Sequence, residues 1–213
     1  MSWFLRAKHW QIFLLIFAVP FVLEIIGMML VFALRNPMPI FVIFALMMAV
    51  LLTVQFGWFY NVGVALGKKL PENAGMNVRR FRSFVLIPAI YIGALMLGML
   101  VFGLYVFQTH EPPPAILAAS LVIIIPLHFF SIFCIFYSIW FIAKSLKMVE
   151  RWNRVELGDY IGDFFLTWFL FIGIWFIQPR INRLFDPTLP PTPPQPNAYN
   201  PNYPPGYPNY PQQ

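Results

Sequence analysis

Four stretches of the chain stay apolar for the length of a membrane-crossing helix, and most of the polar residues collect between them. They run from about 10 to 34, 38 to 66, 84 to 108 and 115 to 143. A bilayer core of about 30 Å takes about 20 residues of helix, so each stretch predicts a span. Arg6 and Lys8 precede the first run as they would in a signal peptide. The run continues to Leu34 with no small-residue cleavage pattern, so the first helix is expected to be retained. A fifth apolar segment, 161–178, differs. Its unbroken part, Phe164 to Ile177, has only 14 residues and reaches about 21 Å as a helix. It contains Gly173 and is followed by Pro179. A tilted span, a re-entrant hairpin and an in-plane helix are the three candidates. Between Ala143 and Asp163 the pattern becomes amphipathic. Met148, Trp152 and Val155 share a face and Glu150 stands four residues before Arg154, which predicts an interfacial helix continuing from the fourth span. Asp159 or Asp163 is placed to cap the helix that follows.

After Phe185 the chemistry changes. Residues 186–213 hold 11 of the 21 prolines and a single charge, Asp186. Such a segment has nothing to bury, which predicts a solvated, partly polyproline-II tail. The domain reading is therefore a polytopic membrane domain over 1–185 and a disordered Pro/Tyr/Asn-rich tail over 186–213. Its PxxP spacings lack a nearby arginine and make a poor SH3 ligand.

Composition agrees and narrows the class. The 213 residues are 60% hydrophobic and 10% charged, against about 45–50% and about 25% in soluble domains. The one cysteine, Cys134, leaves no disulfide framework and no Cys-based zinc site, and three scattered histidines show no metal-ligand spacing. The net charge of +6 suggests nucleic acid until the charges are placed. Arg6, Lys8, Lys68, Lys69, Arg79, Arg80, Arg82, Lys144, Lys147, Arg151 and Arg154 fall on one side of the four spans, and Arg35 falls on the other. Basic loops stay cytoplasmic, so the N-terminus is expected inside. Trp3, Trp10, Trp58 and Trp140 fall at the same helix ends, where interfacial indoles belong. If the fifth segment folds back, Arg180 and Arg183 join the inner set. Its shortness and this charge balance both favour re-entry or in-plane packing, with the tail cytoplasmic.

Several polar residues lie inside the apolar mass. Glu24 is 14 residues beyond Trp10, about 21 Å along the first helix and near mid-bilayer. An acid there is a functional candidate by default. His128 lies 13 residues into the fourth span and is expected at a similar depth. A Glu24–His128 hydrogen bond would make a proton-linked switch; structural locking of the bundle is the plainer reading. Ser131, Ser138 and Ser145 repeat every seven residues on the His128 face, with Ser120 near it, and read as a helix–helix seam or a water-lined path. Gln55 is a further polar site in the second span. Gly63/Gly67, Ala89/Gly93 and Ala94/Gly98 are small-residue packing pairs, and Pro20, Pro88 and Pro126 are expected to bend their helices. The basic residues of the 67–83 loop, Lys68, Lys69, Arg79, Arg80 and Arg82, together with Arg180 and Arg183, form a candidate rim for anionic lipid. They make no face outside the membrane zone, so nucleic acid is not an expected partner. No G-x-S-x-G, H-E-x-x-H, P-loop or G-x-G-x-x-G motif is present.

The run Gly173-Ile-Trp-Phe-Ile-Gln-Pro-Arg-Ile-Asn182 is distinctive. It resembles a run near the end of small, uncharacterised multi-pass membrane proteins of Bacteroidetes, over roughly 160–185. The resemblance implies a bacterial cytoplasmic-membrane protein and carries no activity and no site residue. On its own chemistry the run reads as an interfacial anchor: Trp175 and Phe176 seat it, Pro179 stops the helix, and Arg180 and Arg183 meet phosphates.

The fold expected is thus all-α: a four-helix transmembrane bundle with an interfacial helix and a short fifth apolar segment, re-entrant or spanning. The function expected is a non-enzymatic accessory or scaffold protein without a cofactor, binding membrane lipids and a membrane-protein partner or a second copy of itself. The alternative is a small transporter or channel subunit with Glu24 and His128 in an ion or proton path.

Overall fold

The computed structural model describes residues 3–70, 74–109, 114–151 and 154–188, without the side chains of 114–120. His110, Trp152, the Ser120 side chain and the tail from 189 onward lie outside the described residues. Four helices are long and apolar enough to cross a membrane. They are α1 (His9–Leu34), α2 (Met38–Gly67), α3 (Val78–Thr109) and α4 (Pro114–Arg151). Two shorter helices follow, α5 (Leu157–Trp168) and α6 (Leu170–Leu184). The expected all-α membrane bundle is the observed one.

Local chemistry sets the boundaries. The Lys8 N–H donates to Gln11 Oε1 at 2.8 Å at the start of α1. Pro20 cannot donate within that helix, and its ring crowds the carbonyl four residues back. The turn before it, Leu14–Ala18, widens to a π-helix, which relieves such crowding. Pro88 and Pro126 stay inside continuous helices. Arg35 ends α1 in the left-handed conformation (φ 49°), and Asn36 Oδ1 accepts the Met38 N–H at 2.9 Å. Asn77 caps α3 by accepting the Arg80 N–H at 3.0 Å.

Burial is uneven along the bundle. In the most apolar stretch of each spanning helix only 6% to 22% of residues are buried. The core gathers at the end where α2 and α4 finish and α1 and α3 begin, around Trp58, Phe59, Phe81, Phe141, Leu146 and Ile177. There the Phe81 and Phe141 rings stack at 4.3 Å. The α2–α3 seam closes on Gly63, where a Cβ would overlap the Phe81 ring. Gly93 and Gly98 of α3, expected to make a similar seam, have nothing within 4 Å of the space a Cβ would take. At the other end α1 to α4 present large apolar side chains outward, among them Phe32, Ile90, Val122 and Phe129.

The fifth segment is a helical hairpin. α5 packs on α4, and α6 packs on α5 and on the first turns of α1. The break falls at Phe169 (φ −88°, ψ 57°). Gly173 makes it possible, because a Cβ there would run into the Leu166 carbonyl. With 12 and 15 residues, the legs reach only about 18 and 22 Å. The hairpin returns residues 178–182 to the level of Phe4 and Ala7. Two expectations are corrected here. The amphipathic stretch after Ala143 is the end of α4, which stops at Arg151 and leaves 154–156 non-helical, so Arg154 is not one helical turn beyond Glu150. Pro179 does not stop its helix but lies inside α6.

Gly173→Ala is therefore expected to lower stability by about 3 kcal/mol or more, because the obstacle is backbone. Gly93→Ala should be neutral or stabilising by up to about 1 kcal/mol. Thermal unfolding of both variants in detergent checks the contrast.

Candidate functional site, a polar clasp at the base of the hairpin

A part-buried arginine needs counter-charges, and α6 delivers Arg180 to two of them. Its Nε and Nη2 donate to Glu150 Oε1 and Oε2 of α4, each at 2.6 Å. Its Nη1 and Nη2 donate to Asp163 of α5, the latter to Oδ2 at 2.9 Å. Lys147 stands 3.8 Å from Asp163 Oδ2 and 4.0 Å from Glu150 Oε2. Two cations thus face two anions. Burial works against the Arg180 charge, but the bonds to Asp163 and Glu150 outweigh it and hold the guanidinium above its ordinary value. It stays charged at every working pH. Paired forks of this kind carry both energy and direction. Here they tie the two legs of the hairpin to each other and to α4.

A neutral cluster lies on the other side of α6, two residues from Arg180. Gln178 is fully buried. Its Oε1 accepts from Trp58 Nε1 at 2.8 Å. Its Nε2 donates to the carbonyls of Phe4 and Ala7 at 2.8 and 3.0 Å and to Asn182 Oδ1 at 2.8 Å, while Asn182 Nδ2 donates to Ala7 O at 3.1 Å. Trp175 packs on His9 and Phe13, with ring centroids 4.7 and 5.4 Å away. Trp140 Nε1 donates to the Tyr160 hydroxyl at 3.1 Å on the α4 side. At the base of α5, Asp159 accepts the Glu156 N–H at 3.0 Å and pairs with Arg151. That backbone bond and then the arginine hold its carboxyl below the usual range. Lys69, just past α2, donates to the Leu184 carbonyl and lies over the Phe185 ring, and burial lowers its ammonium from the ordinary value.

The residues singled out in the sequence are distributed as follows. Glu24 is half-buried in α1 and has no hydrogen bond or ion pair among the described residues. His128 is exposed on α4, and its Nδ1 lies 3.5 Å from the Tyr91 hydroxyl, which donates to Ile124 O. The structure does not bring Glu24 and His128 into hydrogen-bond contact. Ser131, Ser138 and Ser145 are buried. Ser138 Oγ donates to Cys134 O of its own helix at 2.8 Å and Ser145 Oγ reaches Met76 Sδ in the segment before α3 at 3.8 Å, so neither is a helix-to-helix hydrogen bond. Gln55 is half-buried in α2. Lys68, Lys69, Arg79, Arg80, Arg82 and Arg183 are exposed. Arg180 leaves the lipid rim, because its donors are spent on Glu150 and Asp163. Sequence reasoning missed Gln178 and the joint role of Glu150 and Asp163. The available signal was that Glu150 and Asp163 precede the apolar run Phe164–Ile177 and Arg180 follows it, so folding the run back on itself brings opposite charges together.

No family model matches the chain, and neither does a curated protein or a solved structure.

Arg180→Met is expected to cost about 2–3 kcal/mol, below the 3–5 of a fully buried pair because the site is partly wet. Arg180→Lys should restore little of it, since an ammonium cannot fork to two carboxylates. Both are read as midpoint shifts in thermal unfolding. Asp159 predicts a pH effect. Its folded value is depressed, so its contribution is present above the ordinary Asp value of about 3.9 and is lost as pH falls through the lower folded value. Amide exchange at 157–160, corrected for intrinsic rate, should lose protection over that acid window, and Asp159→Asn should remove the step.

Proposed function

We propose that this chain is a non-enzymatic accessory or scaffold protein of the bacterial cytoplasmic membrane, and that the outer halves of its spans hold a membrane-protein partner or a second copy. Glu24 carries the reading. It lies midway along an apolar helix, half-buried and with no partner among the described residues. An unpaired acid at that depth is costly in lipid, and a neighbouring chain would satisfy it. Around it the apolar side chains of α1 point away from the rest of the chain, with Phe21, Ile25 and Met28 all exposed. The clasp supports a scaffold role, because its charged groups are bonded to one another rather than held toward a substrate. The basic residues and the returning hairpin together support a cytoplasmic clasp and a cytoplasmic tail, with 13 of the 14 basic residues on that side.

Two experiments check this. A photo-crosslinker at Met28, one turn from Glu24, should give a discrete protein adduct in native membranes that weakens in Glu24→Ala. Adducts to lipid alone contradict the partner reading. With Cys134 replaced by serine, a single cysteine at position 188 should resist an impermeant maleimide in spheroplasts and react after lysis. Labelling from outside would overturn the topology.

A further inference from the structure

The cytoplasmic end of α2 carries a second feature, separate from the clasp and from the surface around Glu24. A cleft of about 410 Å³ opens between α2, Leu5 and Phe185, with Lys68 and Lys69 at its mouth. Its walls are apolar, with Val64 and Ala65 on the α2 side. Tyr60 and Asn61 also line a second cleft, of about 340 Å³, between α2 and α3, which Phe56, Ala89 and Leu52 line as well. From Lys68 to Leu52 is 16 residues, about 24 Å along the helix. One leaflet of the core is about 15 Å deep. Together the two clefts mark a channel along α2 that is cationic at the headgroup level and largely apolar over the depth of a leaflet.

We propose that an anionic glycerophospholipid occupies this channel, its phosphate against Lys68 and Lys69 and one acyl chain laid along α2 toward Leu52. The charge pattern selects that occupant. The Lys69 ammonium already bridges to the Leu184 carbonyl, so a phosphate bound there also bears on the end of α6. Lys68 is exposed and free to turn toward it. A soluble phosphate would use the lysines but not the apolar channel, and a zwitterionic lipid would use the channel but gain little from the lysines.

The test is native mass spectrometry of the full chain in detergent, titrated with phosphatidylglycerol and with phosphatidylcholine of the same acyl chains. One phosphatidylglycerol should bind about tenfold or more tighter than phosphatidylcholine. Lys68→Gln, at an exposed side chain, should weaken it about fivefold, and Ala89→Trp should weaken it with every charge intact. Arg80→Gln, on the α4 side of α3 near Tyr137, should leave it unchanged. Equal binding of the two lipids, or no effect of Lys68→Gln, overturns the proposal. So does competition by glycerophosphoglycerol as strong as by the whole lipid, which would assign the lysines to a soluble phosphate.

Discussion

A guanidinium drawn into a helix contact needs counter-charges there, because desolvation of an unpaired charge costs several kcal/mol. Arg180 finds them in Glu150 and Asp163, and the two acids sit on different helices. Meeting both requires α6 to fold back along α5 and the pair to lie against the end of α4. Closure of the hairpin onto the N-terminal segment, and the shared level of the two described ends of the chain, follow from that requirement. Gly173 removes the one steric obstacle, and Gln178 satisfies the buried polar groups left over where the N-terminal turn meets α2.

The clasp divides the molecule into two unlike halves. At its own end, aromatic and aliphatic side chains from the spans and the hairpin are fully covered, and the polar groups among them are bonded. At the other end the four spans turn apolar faces outward and Glu24 stands without a partner among the described residues. A bundle sealed at one end and open at the other is suited to holding something between or beside its helices. The cationic channel along α2 would add a lipid to the same frame.

The spans were legible in the sequence because hydropathy is local: the four apolar runs predicted the four spanning helices to within a few residues at most ends, although α3 starts at Val78, six residues early, and α4 runs to Arg151, eight residues past the expected end. The brevity of Phe164–Ile177 also told against a span; of the two acids offered as caps, Asp159 serves from the N3 position, with Glu156 as the N-cap residue, and Asp163 does not cap. The clasp was not legible, because Glu150, Asp163 and Arg180 come together only through the hairpin, and each had a plausible local role: an i,i+4 pair, a cap, a phosphate contact. The Glu24–His128 pairing failed for the opposite reason. Depth along a helix can be counted from sequence, but the direction a side chain faces depends on which helices are neighbours. His128 faces Tyr91 of α3 instead. Gly63 and Gly93 sit in similar small-residue pairs, yet only Gly63 meets a facing ring.

The central claim is that the Arg180–Asp163 contact holds the hairpin shut. A double-mutant cycle with Arg180→Gln and Asp163→Asn, read as unfolding free energy in detergent, measures that contact directly. The account predicts a coupling of about 1–3 kcal/mol, with the double variant less destabilised than the sum of the singles. A coupling indistinguishable from zero would contradict it.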